Sequence, residues 1–380
     1  MQTRPNRTAE YISFAFVTVA CLVAVHLYVI FYAPASRLPA LRLVSVPKGV
    51  SFRAAAEVLE KAGVISSAGN FVIAARLTGA YKSIQAGEYE LNAAAAPKEI
   101  LDMLVKGKVK NYRVQVPEGF DINAIAAAVK EAGLIQDEAQ FRERAMDKKF
   151  AGKLGFEGEG LEGYLFPDTY AFTKDMTIDE MLTRMAGRFK EVYYKEIDPE
   201  ARKRGMSMKK LVTLASIIEK ETGAREERPL ISAVFHNRLK KGIKLQSDPT
   251  VIYAIKGFDG NLTKKQLLTK TAYNTYAIYG LPPGPIASPG KASLMAALNP
   301  AGEDYLYFVS RNDGTHYFSK SLKEHNQAVN LYQRGVPAGG AKSGDTAEQA
   351  KNFGAPSAGV PPAGAPPASE TTVYEHSEKK

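Results

Sequence analysis

From Tyr11 to Ala33 the chain runs YISFAFVTVACLVAVHLYVIFYA without one Asp, Glu, Lys or Arg. About 23 apolar residues are enough to cross a bilayer as a helix, and a helix is the only conformation in which a single segment satisfies its own backbone in lipid. This stretch predicts a transmembrane anchor over 11–33, preceded by a short basic N-terminus at 1–10. Tyr28 and Tyr32 near the far end suit an interfacial aromatic belt. The run is long for a signal peptide, and no small-x-small cleavage site follows a short apolar core, so the anchor reads as uncleaved. Arg4 and Arg7 favour a cytoplasmic N-terminus, although Arg37, Arg42 and Lys48 weaken that bias, and the body of the chain would then lie outside the cytoplasm. His26 is a lone imidazole within the span and reads as a packing residue.

After the anchor comes an internal repeat. Residues 46–71 and 116–141 align without gaps at an offset of 70, so that Val46, Pro47, Gly49, Ala56, Ala62, Gly63, Ile65 and Phe71 recur as Val116, Pro117, Gly119, Ala126, Ala132, Gly133, Ile135 and Phe141. Each copy predicts a short strand, a Pro-x-Gly turn, an amphipathic helix stopped by Gly, and a second helix. Gly87 to Leu91 reads as a further strand and Pro97 to Val105 as a helix, which gives a small α+β module ending near Lys110. The second copy opens a larger α+β domain, over 111–334.

Within that domain GLEGYLFPDTY (160–170) reads as an ordered loop with short extended segments, and helices are predicted at about 178–194, from Leu211, and over 228–240. GLPPGPIASPG (280–290) is too rich in Pro to cradle a phosphate, which needs free backbone N–H groups, but suits the wall of a groove. A short helix over 292–297 and a strand over 305–309 follow. From Gly335 the composition collapses to Ala, Gly, Pro and Ser, and 335–380 is expected to be disordered. The formal charge of +10 favours anionic partners. No zinc-finger spacing or aromatic-interleaved basic cluster points to nucleic acid. Cys21, the only cysteine, excludes a disulfide within the chain.

The stretch LVTLASIIEKETGAREERPLISAVFHNRLKKGIKLQSDPT (211–250) carries the chemistry. Leu211, Leu214, Ala215 and Ile218 mark the apolar face of a helix, and Glu219 and Glu221 fall at its C-terminal end. The helix dipole is negative there, so a carboxylate beside the buried stripe is expected to hold its proton tightly, as a general acid must. The two Glu stand roughly 160° apart around the helix, and periodicity does not choose between them. Other polar candidates between Gly160 and Asn326 are Glu162, Asp168, Asn237, Arg238, Gln246, Asp248, Asn274, Asn299, His316 and His325. His316 and His325 are nine apart, unlike a helical zinc pair, and no metal or cofactor is expected. Ser247 and Ser288 lie outside any nucleophile-elbow pattern. A carboxylate acting on a sugar polymer fits better, with Glu, Asn, Gln and Tyr around a groove.

ASIIEKET (215–222), VFHNRLKKGIKLQSDPTVIYA (234–254), YNTYAIYGLPPGPIASPG (273–290), ALNP (297–300) and GTHYFSKSLKEHN (314–326) together resemble the endolytic murein transglycosylase, or YceG-like, family, and EGYLFPDTY, AGEYEL and the VPxG repeats fit it as well. The resemblance covers about 11–330. His236 stands where an apolar or aromatic residue is expected, and Ile243 where Met is common. The resemblance implies a single-pass inner-membrane enzyme with a LysM-like module at 40–110 ahead of the catalytic domain. Its implied activity is cleavage of the β-1,4 bond between N-acetylmuramic acid and N-acetylglucosamine in nascent glycan strands, with closure of a 1,6-anhydro ring. It makes Glu219 the catalytic residue, with Glu221 tuning it. Asn237, Gln246 and Tyr273 or Asn274 become candidates for orienting the sugars, and Asp248 is expected to shape a turn. Peptidoglycan strands are the implied partner, with a functional link to peptidoglycan synthases or the division and elongation machinery. Two rival readings remain: a muramidase-type hydrolase using Glu219 with Asp248, and a noncatalytic wall-binding scaffold.

Overall fold

A computed structural model of the chain describes residues 7–334 except 256, 259 and 261; the stretch 335–380, expected to be disordered, lies outside the described residues, as does most of the N-terminal ten. The fold is mixed α+β, with one N-terminal apolar helix and a larger domain. Helix α1 (Arg7–Tyr32) is long and apolar enough to span a bilayer.

The described chain groups into two compact units: residues up to 115 with 127–138 and 169–181, and residues 116–126, 139–168 and from 182 on. The second copy of the repeat is therefore shared between the units.

In the first unit, strand β1 (Leu41–Val46) pairs antiparallel with β2 (Gly87–Asn92), from Leu41 opposite Asn92 to Val46 opposite Gly87. Val44 and Val46 point inward while Leu41 and Leu43 stay exposed, the alternation of a strand with one covered face. Helices α2 (Phe52–Lys61), α3 (Ala68–Leu77) and α4 (Pro97–Val105) close the core over Phe52, Leu59, Phe71, Tyr89, Leu91, Ile100 and Leu104. Ser51 and Ser67 accept N-cap bonds from Ala54 N and Asn70 N, and Pro97 opens α4, where a missing N–H costs nothing. Strand β3 (Tyr112–Val116) pairs with β4 (Asp168–Phe172). Glu88 accepts from the Tyr112 hydroxyl and from Lys174 Nζ, tying the 169–181 segment to this unit.

Helices α5 (Ile122–Glu131) and α6 (Glu138–Ala145) repeat the order of α2 and α3. In both copies the turn glycine is left-handed, Gly49 at φ +78° and Gly119 at φ +81°, a conformation that a Cβ would strain. After α7 (Lys148–Lys153) and β4 come α8 (Ile178–Val192), a π-turn over Tyr193–Ile197, and α9 (Asp198–Lys203).

Helix α10 (Met208–Glu221) is the centre of the second unit. Leu211 to Ile218 are buried without exception, so the helix is covered on every side rather than along one stripe. It packs against α9, α11 (Arg228–Lys240), α12 (Asp248–Tyr253) and α14 (Lys291–Leu298). Its buried hydroxyls are satisfied internally, Thr213 donating to Lys209 O and Ser216 to Thr213 O. The short helix α13 (Lys264–Leu268), the hairpin of β5 (Tyr307–Ser310) and β6 (His316–Ser319), and α15 (Leu322–Gln333) complete the unit.

A second part of this core is aromatic. Phe189 is fully buried, with the rings of Phe156, Tyr164, Phe166 and Tyr193 at centroid distances of 5.8, 5.4, 6.5 and 5.6 Å. Removing that ring leaves a cavity that four rigid neighbours fill poorly. Phe189→Ala is expected to cost about 3–5 kcal/mol in denaturant unfolding of the full chain, among the larger losses for a single core residue.

Candidate functional site

Helix α10 ends at Thr222, whose backbone is extended, and a 3-10 turn over Arg225–Glu227 leads at once into α11. That short return sets the first residue of α11, Arg228, against the last turn of α10. Arg228 Nη2 donates to Glu219 Oε1 at 2.7 Å, and both side chains are 5 % exposed. Gly290 N, at the start of α14, donates to Glu219 Oε2 at 2.9 Å. The field at the C-terminus of α10 opposes a carboxylate, but the guanidinium and the N-terminal end of α14 both favour one. Both oxygens of Glu219 are thus engaged by donors.

Two loops face this group. Gly119 N donates to Ser288 O at 2.9 Å and Ser288 N to Phe120 O at 2.7 Å, which joins the Pro-x-Gly turn of the second repeat to the end of the Pro-rich stretch. The turn carries Glu118, whose Oε2 lies 3.4 Å from the same Arg228 Nη2. A Cβ at position 290 would fall 1.9 Å from Glu118 Oε1, so any side chain there would displace the end of Glu118.

Glu221 meets different neighbours. Ser247 Oγ donates to its Oε1 at 2.5 Å. Burial pushes this carboxyl up to about 7, against the Ser247 bond and the charges of His316 and Arg238, with Asp248 adding to the rise. The segment beside it is fixed through its backbone: Gln246, at φ +54°, donates its N–H to Thr275 O, and Ser247 N donates to Thr275 Oγ1. Gln246 Oε1 accepts from Arg238 Nη1, which also serves Lys244 O and Leu245 O. Asp248 is the first residue of α12 and accepts from the Tyr276 hydroxyl at 2.5 Å.

The remaining sequence candidates are spread more widely. Asn237 spends both amide hydrogens on Glu303 O and Tyr305 O. Asn274 is fully buried and donates to Leu267 O and Thr269 O while accepting from Tyr276 N. Tyr273 packs its ring 5.0 Å from Tyr253. His316 bonds Glu227 and His325 stacks on Tyr307, so the two histidines are engaged separately. The structure therefore brings Gln246, Asp248 and Glu221 to one side of the end of α10 and leaves Glu219 on the other. Sequence reasoning missed Arg228, Glu118 and Gly290. One signal was present: within the repeated VPxG turn, Lys48 of the first copy is replaced by Glu118 in the second.

Glu162 forms a separate buried group. Its Oε2 accepts from Ile122 N, the first N–H of α5, and from the Tyr253 hydroxyl. Burial, helped by the charge of Asp121, pushes this carboxyl up to about 8. By bonding the start of α5 it anchors the turn that carries Glu118.

The second unit thus contains a buried carboxylate, Glu219, held by an arginine and by a backbone N–H. The YceG-like family matches residues 44–331, and the chain belongs to that family. It is 36 % identical over 310 residues to the endolytic murein transglycosylase of Bacillus subtilis (strain 168), covering 76 % of this chain and 84 % of that protein. The endolytic murein transglycosylase of Streptococcus pneumoniae (strain ATCC BAA-255 / R6) is 29 % identical over 321 residues, covering 75 % of this chain; the match spans 57 % of that longer relative. The crystal structure of a yceG-like protein from Listeria monocytogenes, 33 % identical, superposes with a TM-score of 0.54 and covers 77 % of this chain and all of that one.

The Glu162 environment makes a pH prediction. Its folded-state value is raised from the ordinary 4.5 to about 8, so the folded chain binds more protons than the unfolded chain between those values. The contribution of this group to stability therefore falls as pH rises through that window. Glu162→Gln, neutral throughout, should melt higher than the parent at pH 8, and the difference should shrink towards pH 5. A difference that does not change with pH would contradict this assignment.

Proposed function

We propose that the chain is a membrane-anchored lytic transglycosylase of peptidoglycan, with its N-terminus cytoplasmic and its catalytic domain outside the inner membrane. The observation that carries the reading is Glu219, held between Arg228 and the Gly290 N–H in a domain whose relatives are named endolytic murein transglycosylases. The substrate is a nascent glycan strand, cut at the bond between N-acetylmuramic acid and N-acetylglucosamine, so that elongation of that strand ends. Helix α1 tethers the enzyme where such strands emerge, and the first unit, with its β1–β2 pair under α2 to α4, serves as a LysM-like glycan-holding module. Peptidoglycan synthases and the division or elongation machinery are its functional neighbours.

One carboxyl group suffices for the chemistry. Glu219 protonates the glycosidic oxygen as the C1–O bond breaks. The resulting carboxylate takes the proton of the muramic C6 hydroxyl as O6 closes on C1. No water enters, so the paired carboxylates of a hydrolase are not required. Glu221, buried against Ser247, supports the end of α10 from its opposite side. Asp248 is bound to Tyr276, and its field acts on Glu221.

The test is product analysis by mass spectrometry after incubating the detergent-solubilised full chain with uncrosslinked glycan strands. Anhydro ends are expected, with a loss of about 10²–10⁴-fold in Glu219→Gln as for removal of a general acid/base. Glu221→Gln should retain measurable cleavage. Reducing ends in place of anhydro ends would favour hydrolysis. Unchanged strands, with binding intact in Glu219→Gln, would favour a wall-binding scaffold.

A further inference from the structure

Arg228 is 4 % exposed, and its Nε and Nη1 have no hydrogen-bond partner among the described residues. Its partners among the described residues are both on Nη2: Glu219 at 2.7 Å and Glu118 at 3.4 Å. The acid step places a proton on Glu219, and a neutral carboxyl no longer balances a guanidinium. Arginine does not give up its own proton, and a buried cation without a counter-ion is strongly disfavoured. A second anion must then hold Arg228 while Glu219 is protonated.

Glu118 is placed for that purpose. Its side chain is 38 % exposed, against 5 % for Glu219, so it approaches the same guanidinium nitrogen from the open side. Its backbone is pinned by the Gly119–Ser288 and Ser288–Phe120 bonds. Its carboxylate occupies the space a side chain at position 290 would need, while the Gly290 N–H binds Glu219. One glycine thus seats both carboxylates on either side of one arginine.

We propose that Glu118 is the alternate counter-ion of Arg228: the guanidinium pairs with Glu118 while Glu219 carries its proton and with Glu219 once the proton has left. The inference rests on the proposed role of Glu219, and Glu118 is a positioning residue that acts through Arg228. In the starting state Glu219 is protonated and Arg228 is held by Glu118. Proton transfer to the glycosidic oxygen, with cleavage of C1–O, makes Glu219 a carboxylate, and Arg228 moves onto it. Uptake of the C6 hydroxyl proton, with formation of O6–C1, returns Glu219 to its protonated form and Arg228 to Glu118. No proton is consumed over the cycle.

Of the other charges around α10, Lys220 donates to Gly119 O in the turn that carries Glu118, a second cation beside this site, and Lys291 of α14 pairs with Glu196. On α9, Arg202 pairs with Asp198 and Arg204 with Glu200. Glu221 faces Ser247, with Asp248 of α12 nearby.

The test is the pH–rate profile of the full chain on uncrosslinked strands. In Glu118→Gln, Arg228 has no anion but Glu219, which favours the carboxylate form. The alkaline limb of kcat should therefore move about one pH unit downward, as for the loss of one neighbouring charge. At pH above the limb, kcat should fall about tenfold with KM within about twofold, and activity should recover near pH 5. Arg228→Gln removes the cation and should move the limb upward; if that variant does not fold by circular dichroism, Glu118→Gln decides alone. An unmoved profile in Glu118→Gln, or a loss equal at every pH, overturns the inference. A parent chain that makes no anhydro ends sinks the transglycosylase reading itself, and this inference with it.

Discussion

The Glu219–Arg228 pair joins the end of one buried helix to the start of the next with almost no solvent in between. Taking two charges out of water is costly, and the pair is tolerated because each is the other's partner and Gly290 N supplies a further donor. Without Arg228, Glu219 would lack a cation in a low-dielectric setting, and without Glu219, Arg228 would have Glu118 as its remaining anion among the described residues. The turn between α10 and α11, the position of Gly290 ahead of α14 and the approach of the Glu118 turn are all constrained by that requirement.

What makes the pair rigid is the helix behind it. Helix α10 has no solvent face from Leu211 to Ile218, so it can neither roll nor slide without exposing apolar surface. Two carboxylates that differ by two positions therefore keep distinct surroundings. Glu219 meets a cation and a backbone donor, whereas Glu221 is pushed up to about 7 by burial and the nearby charge of Asp248, against the bond from the Ser247 hydroxyl. A helix with one wet face would let both side chains reach water and lose that distinction.

The repeat was legible because its physics is local: a strand, a left-handed glycine turn and a capped helix follow from short-range chemistry, and all three recur at an offset of 70. The start of α11 at Arg228 was legible for the same reason, since Pro229 fits only the first turn of a helix. The full burial of α10 was not, because Thr213 and Ser216 look polar in sequence and bond within their own helix in the structure. Asn237 and Asn274 looked like sugar ligands from residue type, but their amide hydrogens are used by backbone carbonyls up to 68 positions away. Arg228 and Glu118 meet across a separation of 110 positions, which no periodicity reports.

The Pro-rich stretch shows how such a site is aimed by main chain rather than side chain. Pro285 and Pro289 have no N–H to offer, and the donors that alternate with them are each committed. Ile286 N goes to Ser216 Oγ in the core of α10, Ser288 N to Phe120 O in the turn, and Gly290 N to Glu219 Oε2. The chain bends at Ile286 and Ala287, and proline at 289 disfavours the helical region for Ser288. Three hydrogen bonds from this short stretch thus relate the buried helix, the Glu118 turn and the Glu219 carboxylate. Because those donors are backbone atoms, the contact with Glu219 does not depend on the side chains that this stretch carries.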